Sequence, residues 1–597
     1  MTKAPILIVL TPAAMPVAIR LRDHLPGALL HGLEGRTLAA DTVFSDTGAH
    51  LRRLFADGHP LIGLCAAGIL IRALAPVLGD KTTEPPVLAI APDGQAVVPL
   101  LGGHHGANAL ARDLAAFLGT EAAVTTAGDT VFGLALDEPP PGWRVVNPER
   151  VKPVAAALLA GDPVRLEIEA GDADWLAGLP TADDAAQTVR VGDRVPDQDG
   201  ALHLAPPILA LGVGCERGAA PAELADLARS VLAEAGLSPA AVACVASIDL
   251  KADEAAVQAL ATALGVPARF FTAAELEEQA PRLIRPSAVV FRETGCHGVA
   301  EGAALAAAGA DGILVVPKTR SARCTVALAR APHAIAADQV GRARGRLFVV
   351  GIGPGAHAWR TPEADAAIAA ATDLVGYGLY LDLLGAAAEG KIRHQTGLGA
   401  ETERARRALD LAAEGRTVAL VCSGDAGIYA LATLVFELMD REDRPDWRRL
   451  DIAVMPGVSA MQAAASRAGA PLNHDFCTIS LSDLLTPWAT IERRLEAAAA
   501  GDFVVCFYNP VSERRRDHLA RARDILLTGR PGTTPVVLGR NLGREGERVE
   551  IVPLAELTPD HADMLTLVMV GNSETRSVDT PTRRWVYTPR GYAGKSP

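Results

Sequence analysis

The sequence predicts an α/β protein with several domains, and three observations support this. Short apolar runs typical of buried strands alternate with alanine-rich helical stretches along most of the chain. Most of these runs end in glycine or proline, as strands of α/β proteins do where they lead into ligand-binding loops. The length, 597 residues, is too great for one hydrophobic core and predicts about three to five domains.

The predicted strands follow one another in a regular order, with helices between them. They include 6–10, 42–44, 87–90 and 96–100, then 207–213, 288–291 and 313–316, then 347–350, 418–422, 452–455, 503–508, 536–538 and 566–570. A helix is expected to begin after 347–350, with Thr361 as its N-cap and Pro362 as its first residue.

Changes in composition divide the chain. A proline-rich stretch, EPPPG (138–142), precedes a weakly patterned segment, which we interpret as a middle subdomain or linker. The predicted divisions are an α/β domain at 1–136, the middle segment at 137–205, a second α/β domain at 206–335, a third α/β region at 346–577 and a loose C-terminal tail at 578–597.

The composition excludes some classes of function. Hydrophobic residues make up 49% and charged residues 21%, and the net charge is −13, which argues against a nucleic-acid binder. No uncharged apolar stretch is long enough to span a membrane. The eight cysteines are scattered without a CxxC motif, which favours free thiols in the cytoplasm and argues against zinc or an iron–sulfur cluster.

The glycine loop GIGPGA (351–356) permits two interpretations. It fits a loose dinucleotide-binding fingerprint, and Asp373 lies near the position of a ribose-binding acid. However, Pro354 removes a backbone N–H that a pyrophosphate would need, and the capping residues delay the helix to Thr361. The loop therefore suits the wall of a wider cleft better than a pyrophosphate site.

Five motifs, in order, resemble those of the tetrapyrrole methyltransferases that use S-adenosylmethionine. They are GIGPG (351–355), SGDAGIYA (423–430), MPGVSA (455–460), ISLSDLLTPW (479–488) and FYNP (507–510). The segment 346–597 looks like the branch of this family that methylates C17 of precorrin-3B and contracts the ring to give precorrin-4. The resemblance implies two α/β subdomains, 346–470 and 471–577, a cleft between them, and a homodimer.

The resemblance also assigns the cofactor contacts. They fall on Pro354, Gly424, Asp425, Ile428, Ser459, Ala460, Tyr508 and Thr566. Asp425 is the one acid in its loop and is expected to face the positive amino end of S-adenosylmethionine, although an aspartate here also suits a tight turn. The family motif usually reads GDP, whereas Ala426 replaces that proline, so we expect a more flexible loop with the site retained.

A tetrapyrrole substrate carries many carboxylates, so a chain with net negative charge must concentrate positive charge locally. Nine arginines cluster late in the chain: Arg514, Arg515, Arg516, Arg521, Arg523, Arg530, Arg540, Arg544 and Arg548. For most of them we favour a solvated face, laced with acidic residues. Arg540, just after a predicted strand, is the arginine we expect in the site.

Ring contraction requires a proton to leave a hydroxyl group, so the reaction needs a general base. The candidates are Asp483, in the segment 480–487 that is expected to face the cleft, and His394, which follows KIR (391–393). Each has an alternative role: Asp483 would cap a helix, and His394 would lie on the surface.

Residues 1–335 resemble a second family of the same pathway, the cobalamin biosynthesis protein CbiG. The similar segments are 64–90 and 100–119 for its N-terminal domain and LGVGCERGA (211–219), ASIDLKADE (246–254) and 315–329 for its C-terminal domain. The resemblance implies opening of the ring-A lactone with release of a two-carbon fragment. Polar residues at strand ends or turns are Lys81, His104, His105, Asp249, Lys251, Glu254 and Lys318, and the sequence does not single out a base among them.

Three questions stay open at the sequence level. The methyl acceptor is either precorrin-3B or, because CbiG belongs with cobalt-containing intermediates, cobalt-factor III. The amino half is either catalytic or a carrier that binds labile tetrapyrroles and hands them on to other enzymes of the pathway. The adjacent pair His104 and His105 would bind zinc only with a third ligand, and no metal site is predicted.

Overall fold

The computed structural model of the chain divides into two units, residues 1–345 and 346–597. The structure describes residues 3–590 apart from 26, 38–39, 80–82, 126–131, 133, 198, 398 and 514. No helix among these residues is long and apolar enough to cross a membrane.

The first unit begins with a six-stranded sheet. Its strands are β1 (Ile6–Val9), β2 (Leu29–Leu33), β3 (Thr42–Phe44), β4 (Leu61–Leu64), β5 (Val87–Ile90) and β6 (Val97–Leu101). Their order is β3-β2-β1-β4-β5-β6, and only the pair β5 and β6 is antiparallel. The helices are α1 (Met15–His24), α2 (Thr47–Ala56), α3 (Ala67–Leu74) and α4 (Ala107–Leu118). β1, β4 and β5 are buried along their whole length, as expected of strands covered on both faces.

The weakly patterned segment 137–205 contains a small sheet. It has strands β7 (Arg144–Val145), β8 (Val164–Ile168), β9 (Gln187–Val191) and β10 (Leu202–Ala205), in the order β7-β10-β9-β8, and helix α5 (Val151–Leu159). Trp143, Leu176 and Val189 are buried in its core. The segment therefore has an apolar core of its own, built from strands too short to show a clear period in the sequence.

The third sheet of this unit has both parallel and antiparallel pairs. Its strands are β11 (Leu209–Cys215), β12 (Val242–Ile248), β13 (Ala268–Phe271), β14 (Ile313–Arg320) and β15 (Cys324–Arg330), in the order β13-β12-β11-β15-β14. β11, β12 and β13 are parallel, whereas β15 runs antiparallel to both its neighbours. The helices are α6 (Pro221–Glu234), α7 (Ala255–Leu264), α8 (Ala273–Glu277), α9 (Ala288–Thr294) and α10 (Val299–Ala308).

The predicted strand at 288–291 is wrong, because these residues begin helix α9. The side chain of Ser287 accepts a hydrogen bond from the backbone N–H of Val290 and so caps the helix. Val289 and Phe291 are exposed, so the apolar run does not mark a buried strand. A run of four apolar residues does not distinguish a strand from a helix, and here the N-cap favours the helix.

The second unit starts with a fully parallel sheet. Its strands are β16 (Arg346–Gly351), β17 (Asp373–Tyr377), β18 (Ile392–Thr396), β19 (Thr417–Cys422) and β20 (Asp451–Met455), in the order β18-β17-β19-β16-β20. The helices are α11 (Pro362–Ala370), α12 (Gly378–Asp382), α13 (Glu401–Ala413), α14 (Leu431–Glu442) and α15 (Pro445–Arg448). The predicted start of α11 is confirmed, since the Thr361 hydroxyl accepts from the Ala364 N–H at 3.2 Å.

A mixed sheet completes the second unit. After helix α16 (Ala460–Ala468) and the two-residue strand β21 (Gly469–Ala470) come β22 (Phe476–Ser480), β23 (Val504–Tyr508), β24 (Pro535–Arg540), β25 (Arg548–Pro553) and β26 (Thr566–Val570). The order of the five longer strands is β22-β23-β26-β24-β25, and only β22 and β23 are parallel. Helices α17 (Trp488–Ala500) and α18 (Asp517–Leu526) pack against the sheet through buried Leu495 and Leu519.

The C-terminal segment differs from the predicted loose tail. Strands β27 (Arg576–Asp579) and β28 (Arg584–Tyr587) form a hairpin, and β28 pairs with β21. Val586 is buried, and the Thr588 hydroxyl donates to the carbonyl of Pro471 at 2.6 Å. The polar sequence of this segment does not show the apolar pattern of a strand, because β28 depends on pairing with the distant strand β21. Residues 591–597 lie outside the described residues.

Candidate functional site

A cavity lies in the second unit, where strands of its two larger sheets end. It is lined by the loops after β16 and β19, the start of α16, the ends of β23 and β24, and the start of β26. All eight residues that the resemblance assigned to the cofactor line it: Pro354, Gly424, Asp425, Ile428, Ser459, Ala460, Tyr508 and Thr566. The fold thus brings together residues from five separate segments of the sequence.

Three glycine loops meet at Gly351. Gly353 and Gly424 exchange two backbone hydrogen bonds, with N···O distances of 3.1 and 2.8 Å. Both have positive φ, 75° and 72°, a conformation that favours glycine. A Cβ on Gly351 would lie 2.7 Å from the Gly424 carbonyl oxygen and 3.0 Å from the Gly457 nitrogen. The loops therefore pack backbone against backbone, which leaves no room for larger residues.

Asp425 joins two of these loops. Its Oδ1 accepts from the Gly427 N–H at 2.8 Å and its Oδ2 accepts from the Gly457 N–H at 3.1 Å. The turn-forming role considered for this aspartate is therefore present, together with its position in the cavity wall. A carboxylate has about four lone-pair sites, so two hydrogen bonds leave it able to accept from a bound ligand.

Another part of the lining carries aromatic rings and hydroxyl groups. Ser459 caps α16 in a capping box with Gln462. The Tyr508 hydroxyl accepts from the Met461 N–H at 3.3 Å, and burial raises the pKa of this phenol. Its ring lies 5.1 Å from that of Tyr429, centroid to centroid. This wall offers flat apolar surface with few polar atoms, which suits an aromatic ring of a ligand.

Thr566 and Arg540 share one partner. The Thr566 hydroxyl donates to Oδ1 of Asp563 at 2.7 Å, and Arg540 Nη2 pairs with Oδ2 of the same aspartate at 2.8 Å. Arg540 is 53% exposed and is not among the residues that line the cavity. The structure therefore does not bring the arginine chosen from the sequence into the site.

The arginine that does line the cavity is Arg544. Its Nε donates to the carbonyl of Pro354 at 2.6 Å, and its Nη2 donates to the hydroxyl of Ser423 at 2.8 Å. Burial lowers the pKa of its guanidinium, and the nearby hydroxyl of Tyr380 opposes that shift. The sequence signal for Arg544 was its position between two glycines after a predicted strand. The sequence analysis nevertheless placed Arg544 among the arginines of the solvated face.

His394 lies away from the cavity. Its Nε2 is 2.8 Å from Oδ1 of Asp373, the first residue of β17, at the end of the parallel sheet opposite to the cavity. Burial raises the pKa of Asp373, but hydrogen bonds from His394, Thr372 and Arg416 outweigh it and lower the pKa below its usual value. His394 therefore belongs to an ionic network around the buried Asp373. It does not lie beside the other candidate site residues.

Asp483 lies near the site but outside the cavity lining. Its carboxylate is 3.8 Å from both Arg515 Nε and His518 Nε2, and its side chain is 50% exposed. The segment leaves β22 beside Asn509, which lines the cavity and donates to Ser480 Oγ at 3.2 Å. Of the two candidate bases, Asp483 is therefore the one whose segment adjoins the cavity.

Among the candidate residues of the amino half, Lys251 and Glu254 pair with each other. Glu254, 4% exposed, accepts from the Gly218 N–H at 3.1 Å, from Arg217 at 3.0 Å and from Lys251 at 3.3 Å. Lys318 donates to the carbonyl of Arg285, and Asp249 follows β12 in a turn of 3₁₀ helix. Lys81 and the side chain of His104 lie outside the described residues, and His105 has a partner.

The sequence analysis missed one histidine of this half. His297 Nδ1 lies 2.8 Å from Oε1 of Glu277, and its ring stacks on Phe291. Its position just before helix α10, in the turn GCHG (295–298), was the only sequence signal. Among the described residues, no group of three or more His, Cys, Asp or Glu is arranged to hold a metal ion.

Three family models match this chain. Residues 346–558 match Tetrapyrrole (Corrin/Porphyrin) Methylases, residues 209–329 match Cobalamin synthesis G C-terminus, and residues 49–129 match Cobalamin synthesis G N-terminal. The chain belongs to the tetrapyrrole methylase family through its second unit, and its first unit carries the two cobalamin synthesis G domains. The resemblances drawn from the sequence motifs are confirmed.

Curated relatives match the second unit over almost their whole length. The precorrin-3B C(17)-methyltransferase of Sinorhizobium sp is 45% identical over 253 residues, which is 42% of this chain and 99% of the relative. The probable cobalt-factor III C(17)-methyltransferase of Salmonella typhimurium is 47% identical over 248 residues, 41% of this chain and 99% of the relative. A crystal structure of the methyltransferase CobJ is 43% identical, with a TM-score of 0.39, and covers 41% of this chain and 100% of that chain.

Proposed function

We propose that the second unit transfers a methyl group from S-adenosylmethionine to C17 of precorrin-3B and drives ring contraction to precorrin-4. The observation that carries this is the meeting of all eight expected cofactor residues in one cavity of a chain that is 45% identical to such an enzyme over 253 residues. S-adenosylmethionine supplies an already activated methyl group. The protein's part is therefore to orient the donor and acceptor and to exclude water.

The residues of the cavity suit this task. The backbone-packed glycine loops let main-chain N–H and C=O groups approach a ligand closely. Tyr508 and Tyr429 offer apolar rings, while Asp425 and Arg544 offer one charge of each sign. In this proposal Asp483, whose carboxylate lies 3.8 Å from Arg515 and from His518, takes the proton from the hydroxyl during ring contraction.

The acceptor has a second candidate, cobalt-factor III, favoured by the second relative and by the cobalamin synthesis G domains. The test is to incubate the protein with S-adenosylmethionine and either compound, and to follow mass and absorbance. A gain of one methyl group with either acceptor supports the proposal and identifies the substrate. Methylation of neither acceptor would overturn it.

For the first unit we propose opening of the ring-A lactone with release of a two-carbon fragment. The two matching domain models support this. The alternative is a carrier that binds tetrapyrroles and hands them on. Release of acetaldehyde from a lactone-containing intermediate, trapped as a hydrazone, distinguishes the two, since a carrier binds the pigment without releasing acetaldehyde.

We also propose that the protein is a cytoplasmic homodimer that forms through the methylase unit. The eight cysteines are all unpaired and mostly buried, which suits a reducing compartment. Light scattering coupled to size-exclusion chromatography tests the dimer, and a mass equal to one chain at micromolar concentration contradicts it.

A further inference from the structure

Among the described residues that line the cavity, Asp425 is the one acidic side chain and Arg544 the one basic side chain. Arg544 contacts the loop of Asp425, because its Nη2 donates to Ser423, two residues before Asp425. The loop that holds Arg544 reverses direction through positive φ at Asn541 (49°) and Gly543 (70°). The guanidinium is thereby fixed against both cofactor loops, through Pro354 and Ser423.

Arg544 differs from its neighbours in lacking an acidic partner. Arg540 pairs with Asp563 at 2.8 Å and Arg548 with Glu550 at 3.1 Å. In the part of the chain that the structure describes, no carboxylate forms an ion pair with Arg544, whose protein partners are a carbonyl and a hydroxyl. A half-buried cation without a counter-ion is costly, and an anionic group of a ligand would offset that cost.

The charges of the cavity indicate which anion this is. A tetrapyrrole presents many carboxylates and would need several cations, whereas this lining offers one guanidinium beside one carboxylate. One positive and one negative group at neighbouring positions complement an α-amino acid, which carries one carboxylate and one ammonium group. We infer that Arg544 binds the α-carboxylate of the amino-acid portion of the methyl donor, an inference that rests on the proposed function.

The test compares two ligands that differ by one carboxylate. Binding of S-adenosylhomocysteine and of decarboxylated S-adenosylhomocysteine to the full-length protein is measured by calorimetry, for the wild type and for Arg544→Gln. We expect the substitution to raise the Kd of S-adenosylhomocysteine by about 10- to 100-fold, since a hydrogen-bonded charge pair is lost. The Kd of the decarboxylated ligand should change by less than about threefold.

The matched control is Arg548→Gln, which removes an exposed arginine from the following strand and should leave both affinities unchanged. Arg544→Lys keeps the charge and should retain part of the preference for the ligand that has the carboxylate. This variant tests the inference if Arg544→Gln does not fold. An equal loss for both ligands would show that Arg544 only holds the loops, and no loss for either would place the carboxylate elsewhere; both results overturn the inference. Failure of the wild type to bind S-adenosylhomocysteine would overturn the proposed function itself.

Discussion

At the scale of single residues, Asp483 lies near Arg515 and His518 without a close hydrogen bond to either. Its oxygens lie 3.8 Å from Arg515 and His518. Arg515 donates its hydrogen bonds to the carbonyls of Leu481 and Asn509 instead. The carboxylate therefore keeps lone pairs that can accept a hydrogen bond from a substrate hydroxyl. This arrangement suits a general base.

We therefore expect Asp483→Asn to slow turnover by about 100-fold or more, because the amide does not accept the proton. The Kd of S-adenosylhomocysteine should stay within about threefold of the wild-type value. Turnover is followed by absorbance, and Asp560→Asn, an exposed partner of Arg516, is the matched control. Unchanged turnover in Asp483→Asn removes Asp483 from the mechanism.

A second residue-scale feature lies in the first unit, where two buried histidines are hydrogen-bonded. His31 Nδ1 and His50 Nε2 are 2.9 Å apart, and each side chain is about nine-tenths buried, with 6% exposure. Burial, then the neighbouring His50, lowers the pKa of His31 to about 4, while Asp41 opposes the shift. The folded state therefore holds His31 neutral at a pH where an unfolded chain protonates it.

Acidification is therefore expected to lower the stability of the folded state at this site. Between about pH 6.5 and 4 the unfolded chain binds more protons, so the stability from this site is complete above pH 6.5 and is lost as the pH falls towards 4. The loss amounts to about 3 kcal/mol at most. The protection factors of amides in 29–33 and 47–56, corrected for the intrinsic exchange rate at each pH, should fall selectively on acidification, with 209–215 as internal reference. His31→Leu should abolish this selective loss of protection; its persistence would assign the effect to another group.

At the scale of elements, the site depends on how closely three loops approach. A Cβ on Gly457 would lie 2.2 Å from the Gly424 carbonyl oxygen and 2.7 Å from that of Gly351, and backbone atoms do not move aside easily. The loops after β16, β19 and β20 thus form one rigid wall, and a change in one of them displaces the others.

Gly457→Ala should therefore raise the Kd of S-adenosylhomocysteine by about 10-fold or more, since overpacking typically costs about 1–3 kcal/mol. Titration calorimetry measures the effect. Gly397→Ala is the matched control, because in the described part of the chain no atom lies within 4 Å of a Cβ added there. Equal affinities for both variants would show that the wall adapts to a methyl group.

The sequence predicts local elements better than distant partners, for physical reasons. The strand before Gly351 and the helix after Thr361 were predicted because their signals, an apolar run and a capping residue, lie within the element. Strand β28 was missed because its neighbour in the hairpin, β27, is exposed and polar, and its other partner, Gly469–Ala470, lies more than 100 residues earlier in the chain. Arg540 was preferred to Arg544 because the turn through Asn541 and Gly543 decides which of them faces the cavity.

At the scale of the whole molecule, the described residues that line the cavity all belong to the second unit. Among the described residues, the buried clusters of that unit draw on its own side chains. The Sinorhizobium relative aligns over 253 residues and 99% of its own length, which is about the length of this unit. The described cavity is thus built from residues of the second unit.

We accordingly expect a fragment of residues 346–597 to fold and to bind S-adenosylhomocysteine with a Kd within about threefold of that of the full chain, because binding sites and cores that share no residues contribute independently. Scanning calorimetry should show at least two transitions in the full chain, and only the transition of the second unit should rise in temperature with added ligand, since a ligand stabilises the unit that binds it. The fragment should reproduce that transition. Aggregation of the fragment, or a ligand-dependent shift of both transitions, would mean that the first unit supports the methylase site.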